Sequence, residues 1–315
     1  MIQRDVVVIG GSLAGAACVR ELTRLGIDAV ALERDRFPRH KVCGGFLSPG
    51  AIECLRTLGV LDDVRRAGAV QVNSACVRAR AAEVKIVFER PGIGISRSTL
   101  DDILARGAAV IQGHHVRDVR RSERGFVVDD VACRVVIDAA GKLSRFTKRR
   151  AVEEFGVQYF ENGQRGSVLD FWFHDGYYGG GVSVEGGRSN FCFLVRKDVL
   201  RNHVNRPGCI VTGPLAYERL PGDHIAIGDA VGMVDPFCGE GMRHALDTGI
   251  LAAHVVAKGI HRRATYEDMK NEYETQWQRK WAIRREFGAL LRRFRKWAGP
   301  VLRIAPPRLI NRLWD

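Results

Sequence analysis

Long apolar runs are missing from this chain of 315 residues. None reaches the length of about 18 needed to cross a bilayer, so no transmembrane helix is expected. The cysteines, at positions 18, 43, 54, 76, 133, 192, 209 and 238, never fall in a Cys-x-x-Cys pair. No His, Cys, Asp or Glu spacing suits a metal either. Reduced thiols, a cytoplasmic setting and no metal site are the expectation. Internal repeats and low-complexity tracts are absent, which argues against a solenoid or a disordered linker. A strand begins within a few residues of Met1, leaving no room for a signal peptide. Acidic charge is scarce: 36 Asp and Glu stand against 49 Lys and Arg, a net charge of +13. That excess favours an anionic partner such as a phosphate group, an acidic substrate or a membrane face. No recognition motif for nucleic acid accompanies it, so nucleic acid is not expected. Nothing in the sequence fixes the oligomeric state.

What is present begins at the N-terminus. Val6–Ile9 reads as a buried parallel strand, followed by Gly10-Gly-Ser-Leu-Ala-Gly15 and a helix over about residues 14–25. Ala29–Leu32 reads as a second strand ending at Glu33. Strand, glycine turn, helix, strand and acid in this order form a dinucleotide-binding unit. The turn admits a pyrophosphate, the helix N-terminus faces it, and the acid accepts hydrogen bonds from a ribose. The middle glycine of the usual pattern is Ser12, small enough to be read as a tolerated variant.

A loop rich in Pro, Gly and basic groups follows, Arg36 to Gly50, and then a helix over 51–58. Residues 70–90, 168–173, 180–185 and 189–195 alternate apolar and polar side chains. They predict an antiparallel sheet that could wall a substrate. A short helix over 96–104 and strands over 108–112 and 134–138 read as parts of the nucleotide unit. A strand over 223–230 then returns the chain to it. Gly228 and Asp229 stand at that strand's carboxyl end, where open α/β sheets bind ligands. Pro236 stiffens the next loop, Gly239 and Gly241 let backbone approach a flat ligand, and a helix over 241–258 starts with its positive end towards it. From Tyr266 the chain reads as helical.

These segments together resemble the FAD-dependent oxidoreductases of the aromatic-hydroxylase fold. The chain is most similar to the geranylgeranyl-reductase-like branch, with flavin halogenases and group A monooxygenases nearby. The resemblance rests on the Gly10–Gly15 turn with Glu33, the Phe37–Pro49 loop with its Cys43-Gly-Gly, the Arg97 and Asp101 pair, and the Gly228 to Gly241 segment. It implies an α/β fold: a Rossmann-like FAD-binding domain of the glutathione-reductase type, an inserted antiparallel-sheet substrate domain, and a C-terminal helical tail. The FAD domain would comprise 1–70, 95–150 and 220–262, the substrate domain 71–94 and 151–219, and the tail 263–315.

Carried over by position, the resemblance gives the pyrophosphate to Gly10, Ser12, Leu13, Ala14 and Gly15. Glu33 and the adjoining Arg34 would serve the adenosine ribose. Arg97 would meet the phosphate or ribityl region, and Val116 would pair its backbone with the adenine. Gly228 and Asp229 would take the ribityl chain or the pyrophosphate, with Pro236, Gly239, Gly241 and Met242 around the isoalloxazine. Lys41, Val42, Cys43 and Gly44 would lie close to that ring. Cys43, Gly44 and Tyr178 are the catalytic candidates. The implied cofactor is FAD, with NAD(P)H a candidate electron donor.

The chain departs from its relatives in three ways. Where group A monooxygenases carry Asp-Gly, it has Ala140-Gly141. The Trp-x-Trp motif of halogenases is absent. The substrate region is short. A flavin monooxygenase acting on an apolar aromatic or polyketide-like molecule is the first reading. A reductase of an unsaturated prenyl or lipid chain is the alternative, and a non-catalytic FAD scaffold or sensor is the third. His244, on the first turns of the 241–258 helix, and the flanking Glu240 and Arg243 are candidates to reach the pocket, His174 belongs to an aromatic-rich hairpin, and His114 and His115 are read as structural. Residues 277–303 combine Trp281, Ile283, Phe287, Leu290, Leu291, Phe294, Trp297 and Leu302 at spacings of three and four with an arginine-rich opposite face. That pattern suits a peripheral contact with the inner membrane face.

Overall fold

The computed structural model describes residues 2–79, 82–146, 149–219, 222–234 and 239–293. Its first layer is a seven-stranded sheet. The strand Ile2–Ile9 lies at its centre, parallel to Ala29–Glu33 on one side and to Val131–Asp138 on the other. Val110–Gln112 extends the first side, and the hairpin of Val119–Ser122 and Gly125–Val128 closes the second. Val6, Val7 and Val8 have no exposed surface and lie in the larger hydrophobic core. Helix α1, Leu13–Arg24, follows the central strand. Helices α2, Pro49–Thr57, and α3, Leu61–Arg66, come next, then α4, Arg97–Ala105. Helix α5, Gly241–His261, lies against α1. A Cβ on Gly249 would stand 2.4 Å from the Ala14 carbonyl oxygen, so the contact needs a glycine. Helix α6, Tyr266–Arg293, packs on the same core.

The second layer is an eight-stranded sheet. Its centre pairs Glu154–Asn162 with Arg188–Arg196, and the latter with Tyr177–Val184. It differs from expectation in one pairing. Val168–Phe173 runs parallel to Val70–Ala79, with Val168 opposite Ser74. The chain between these two strands passes through the first layer, so no hairpin constrains their direction. The strand Phe46–Leu47, from the loop before α2, also joins this sheet, pairing with Ile93 and Gly94.

Two further expectations change. The strand expected over 223–230 shrinks to Ile225–Ala226, because Gly228 adopts φ +60° and turns the chain into a 3-10 turn, Gly228–Ala230. The apolar stripe of the tail is not one surface. Trp277 and Trp281 are core residues, 6% and 1% exposed, whereas Ile283 is 77% exposed. Tyr266 and Tyr273 pin α6 to the sheet: their hydroxyls donate to the carbonyls of Val136, at 3.1 Å, and Ala226, at 2.9 Å.

Candidate functional site

The carboxyl ends of the central parallel strands open onto a cavity that reaches across to the second sheet. Gly10 turns the chain there with φ +101°, and a Cβ on it would stand 2.5 Å from the Ala139 carbonyl oxygen. A Cβ on Gly15 would stand 1.8 Å from the oxygen of Gly10. Both positions admit only glycine, and they bring the start of α1 up to the cavity, which Ser12, Leu13 and Ala14 line. The first N–H groups of a helix have no partner within it, so this end offers donors and positive potential to an anion. Glu33 is 5% exposed. One of its oxygens accepts from Gly11 N–H at 2.8 Å and the other from Asp35 N–H at 2.9 Å. The carboxylate closes the turn and retains lone pairs for a ribose.

Ser12 caps α1 without a side-chain cap bond. Its hydroxyl instead donates to Asp101, at 3.0 Å, and accepts from Arg97 Nη2, at 2.7 Å. Arg97 and Asp101 form a bidentate pair one turn apart on α4, at 3.0 and 2.9 Å, and both are buried. Burial opposes the charge on Arg97, but Asp101 more than offsets it, so the guanidinium is held firmly protonated. Arg39 reaches Asp101 at 3.6 Å. Lys41 places its Nζ over Gly141, 3.6 Å from where a Cβ would stand. Burial, with the nearby Arg97 charge, lowers its pKa to about 8, against Asp229 and Asp101. Lys142 is lowered by burial too, against Asp229.

The loop Lys41–Gly45 forms the floor beside these cations. Asn190 holds it to the second sheet, its Nδ2 donating to the Cys43 carbonyl at 2.9 Å. Gln158 Nε2 in turn donates to Asn190 Oδ1 at 2.6 Å. The facing wall is Leu169, Phe171, Tyr178, Gly180, Cys192 and Leu194. A Cβ on Gly180 would stand 2.6 Å from the Asp170 carbonyl oxygen, so this wall stays flat. Gly228, Asp229, Gly239, Gly241 and Met242 close the remaining side. The space these residues line is partly open to solvent.

The structure thus gathers Ser12, Leu13, Ala14, Lys41, Val42, Cys43, Gly44, Arg97, Tyr178, Gly228, Asp229, Gly239, Gly241 and Met242 around one space. Gly10, Gly15 and Glu33 shape the turn behind it. Arg34 does not join them; its side chain is 59% exposed and pairs with Asp35 at 3.1 Å. Val116 is 4% exposed within the first-layer core. Pro236 and Cys238 lie outside the described residues. His114 pairs with Asp129 at 2.9 Å, His174 stacks on Tyr177, and His244 accepts from Trp277 Nε1 at 3.1 Å; none of the three lines the cavity. The sequence reading missed Lys142, Cys192 and Phe171. Lys142 was within reach, because it follows a strand's carboxyl end just as Asp229 does. No group of His, Cys, Asp and Glu among the described residues could hold a metal.

The residues present fit a flavin dinucleotide. Two glycines that tolerate no Cβ shape a phosphate cradle, cations stand beside it, and a second helix end faces the cavity. Comparison with known proteins agrees. Residues 3–156 match the FAD binding domain family. The menaquinone reductase of Mycolicibacterium smegmatis is 27% identical over 81% of this chain and 76% of its own. Digeranylgeranylglycerophospholipid reductase 2 of Methanothermobacter thermautotrophicus is 28% identical over 88% and 83%. Among solved structures, a triple mutant of a flavin-dependent brominase superposes with a TM-score of 0.79 at 19% identity, covering 99% of this chain and 94% of that one.

Proposed function

We propose that this chain, an FAD-dependent oxidoreductase of the aromatic-hydroxylase fold and its geranylgeranyl-reductase-like branch, hydroxylates an apolar aromatic or polyketide-like small molecule. The flat apolar wall carries the reading. Phe171, Leu169, Leu194 and the bare backbone of Gly180 line the same cavity as the Cys43–Gly45 loop. A planar substrate would lie between them, and the wall would exclude water from it.

When bound, FAD supplies an electron pair that NAD(P)H would deliver, and the chain's own residues position the partners. The N–H groups at the start of α1 and the charges of Arg97 and Lys41 would hold the pyrophosphate. Asp229 would accept hydrogen bonds from the ribityl chain. The positive end of α5, at Gly241 and Met242, would face the edge of the ring that gains negative charge. Gly44 would let the ring approach the loop, and Cys43 and Tyr178 would orient the substrate.

A second reading is favoured by the relatives, both named as reductases and both matched over most of their length. In it the same cavity takes an unsaturated prenyl or lipid chain, and the electron pair goes to a carbon–carbon double bond. One experiment separates the readings. The FAD-loaded protein is reduced anaerobically and offered flat aromatics with oxygen, or a polyprenyl lipid without it. A product with one added oxygen atom supports hydroxylation. A product with two added hydrogens, formed without oxygen, supports reduction. No turnover with any donor leaves a non-catalytic FAD scaffold.

No helix among the described residues is long and apolar enough to cross a membrane. A peripheral contact through residues 277–303 remains part of the proposal, narrowed by the burial of Trp277 and Trp281 to the segment from Ile283 onwards.

A further inference from the structure

Glu240 is fully buried, with no exposed surface, between two glycines that line the cavity. It is the N-cap of α5. One oxygen accepts from Arg243 Nη1 at 3.3 Å, and the Ser48 hydroxyl also hydrogen-bonds the carboxyl. The other oxygen, Oε1, has no hydrogen-bond partner among the described residues. Ser48 is itself the N-cap of α2. The Arg243 guanidinium lies on Gly50 in the first turn of α2, where a Cβ would stand 2.1 Å from its Cζ. One carboxyl therefore joins the heads of α2 and α5. These helices begin just after the two loops that border the cavity, Lys41–Gly45 and Gly239–Gly241. The groups acting on it are Ser48 at the head of α2, Cys54 within α2, Arg243 on α5 and Arg284 on α6, while Asp247 and Lys280 act on the neighbouring Cys54.

A negative charge at a helix head cancels part of the potential that the helix end offers a ligand. A neutral acid there leaves that potential whole. We propose that Glu240 is a positioning residue that couples the charge of the bound cofactor to a proton. In the reduced enzyme the carboxyl is neutral, so the positive end of α5 acts undiminished on the negative flavin. On oxidation the carboxyl gives that proton to solvent, and on reduction it takes one back. The two electrons come from the donor. Burial pushes the carboxyl up to about 7, against Arg243, Ser48 and Arg284, which places the exchange near neutral pH.

The inference rests on FAD being the cofactor. The test uses the FAD-loaded full chain and its Glu240→Gln variant, and measures the two-electron midpoint potential from acid to alkaline pH. The wild type should fall more steeply with pH through neutrality than the variant. The two should converge at acid pH, and the variant should hold the higher potential at alkaline pH. Reduced-minus-oxidised infrared spectra of the wild type should show a protonated carboxyl band gained on reduction at neutral pH, which keeps the test open if the variant fails to fold. Equal pH slopes, or no carboxyl band in the wild type, overturn the inference and leave the cofactor reading intact. A chain that takes up no FAD overturns both.

Discussion

Ser12 shows how a single residue departs from its pattern for a reason. The usual glycine leaves room for phosphate. Here the serine side chain turns away from the cradle to join Arg97 and Asp101 on α4. Ser12→Ala should cost about 1.5–3 kcal/mol, the worth of a hydrogen bond to a charged group, read by urea unfolding of the FAD-free protein. Arg97→Met should cost more, about 3–5 kcal/mol, because it strips Asp101, with no exposed surface, of its bidentate partner. Glu240 gives a prediction with a definite pH window. In the unfolded chain its carboxyl ionises near 4.5; in the fold burial holds it protonated up to about 7. Its contribution to stability is therefore full below 4.5 and is lost as pH rises to about 7, a change on the order of 3 kcal/mol. Glu240→Gln should flatten that part of the profile in denaturation midpoints taken from pH 4.5 to 8. An unchanged slope would show that the carboxyl ionises normally.

At the level of elements, α5 and α6 carry more than their periodicity suggests. Helix α5 presents its head to the cavity and its Gly249 to the backbone of α1. It also holds α6: Trp281 Nε1 donates to Asp247 at 2.8 Å, and Trp277 Nε1 donates to His244. Trp281→Ala should destabilise by about 3–5 kcal/mol, the range for emptying a large buried aromatic site, seen as a lowered urea midpoint. The spacing of three and four placed Trp281 and Ile283 in one stripe, but only packing decides that Trp281 faces α5 while Ile283 is left outside. The expected strand over 223–230 failed for a similar reason. Its alternation persists to Ile227, but the positive φ of Gly228 ends pairing early, and hydropathy carries no trace of φ.

For the whole molecule, two sheets of different origin meet around one cavity, and residues far apart in the chain form its walls. Cys43 and Asn190 are bonded across 147 positions. The basic tail adds a prediction at this scale. A chain ended after Arg284 keeps Trp277 and Trp281, so it should fold as the full protein does yet pellet less with anionic lipid vesicles. Ending the chain before Trp277, by contrast, would remove core residues and confuse folding with binding. Equal pelleting of the longer truncation and the full chain would sink the membrane contact.

The phosphate turn was legible in the sequence because local backbone geometry dictates it. Gly10 and Gly15 stand where no Cβ fits, and the apolar run before them has to be a buried strand. The FAD reading likewise followed from two short segments, Gly10–Gly15 and Gly228–Gly241, each built from consecutive residues. Of the opposite wall only Tyr178 was legible. Phe171 and Cys192 sit on the two hairpin strands that flank Tyr177–Val184 in that wall, and period-two alternation cannot say which face meets the cofactor. The burial of Glu240 and the second use of Ser12 were likewise set by packing. Each depends on a helix brought in from elsewhere in the chain: α2 and α6 around Glu240, and α4 beside Ser12.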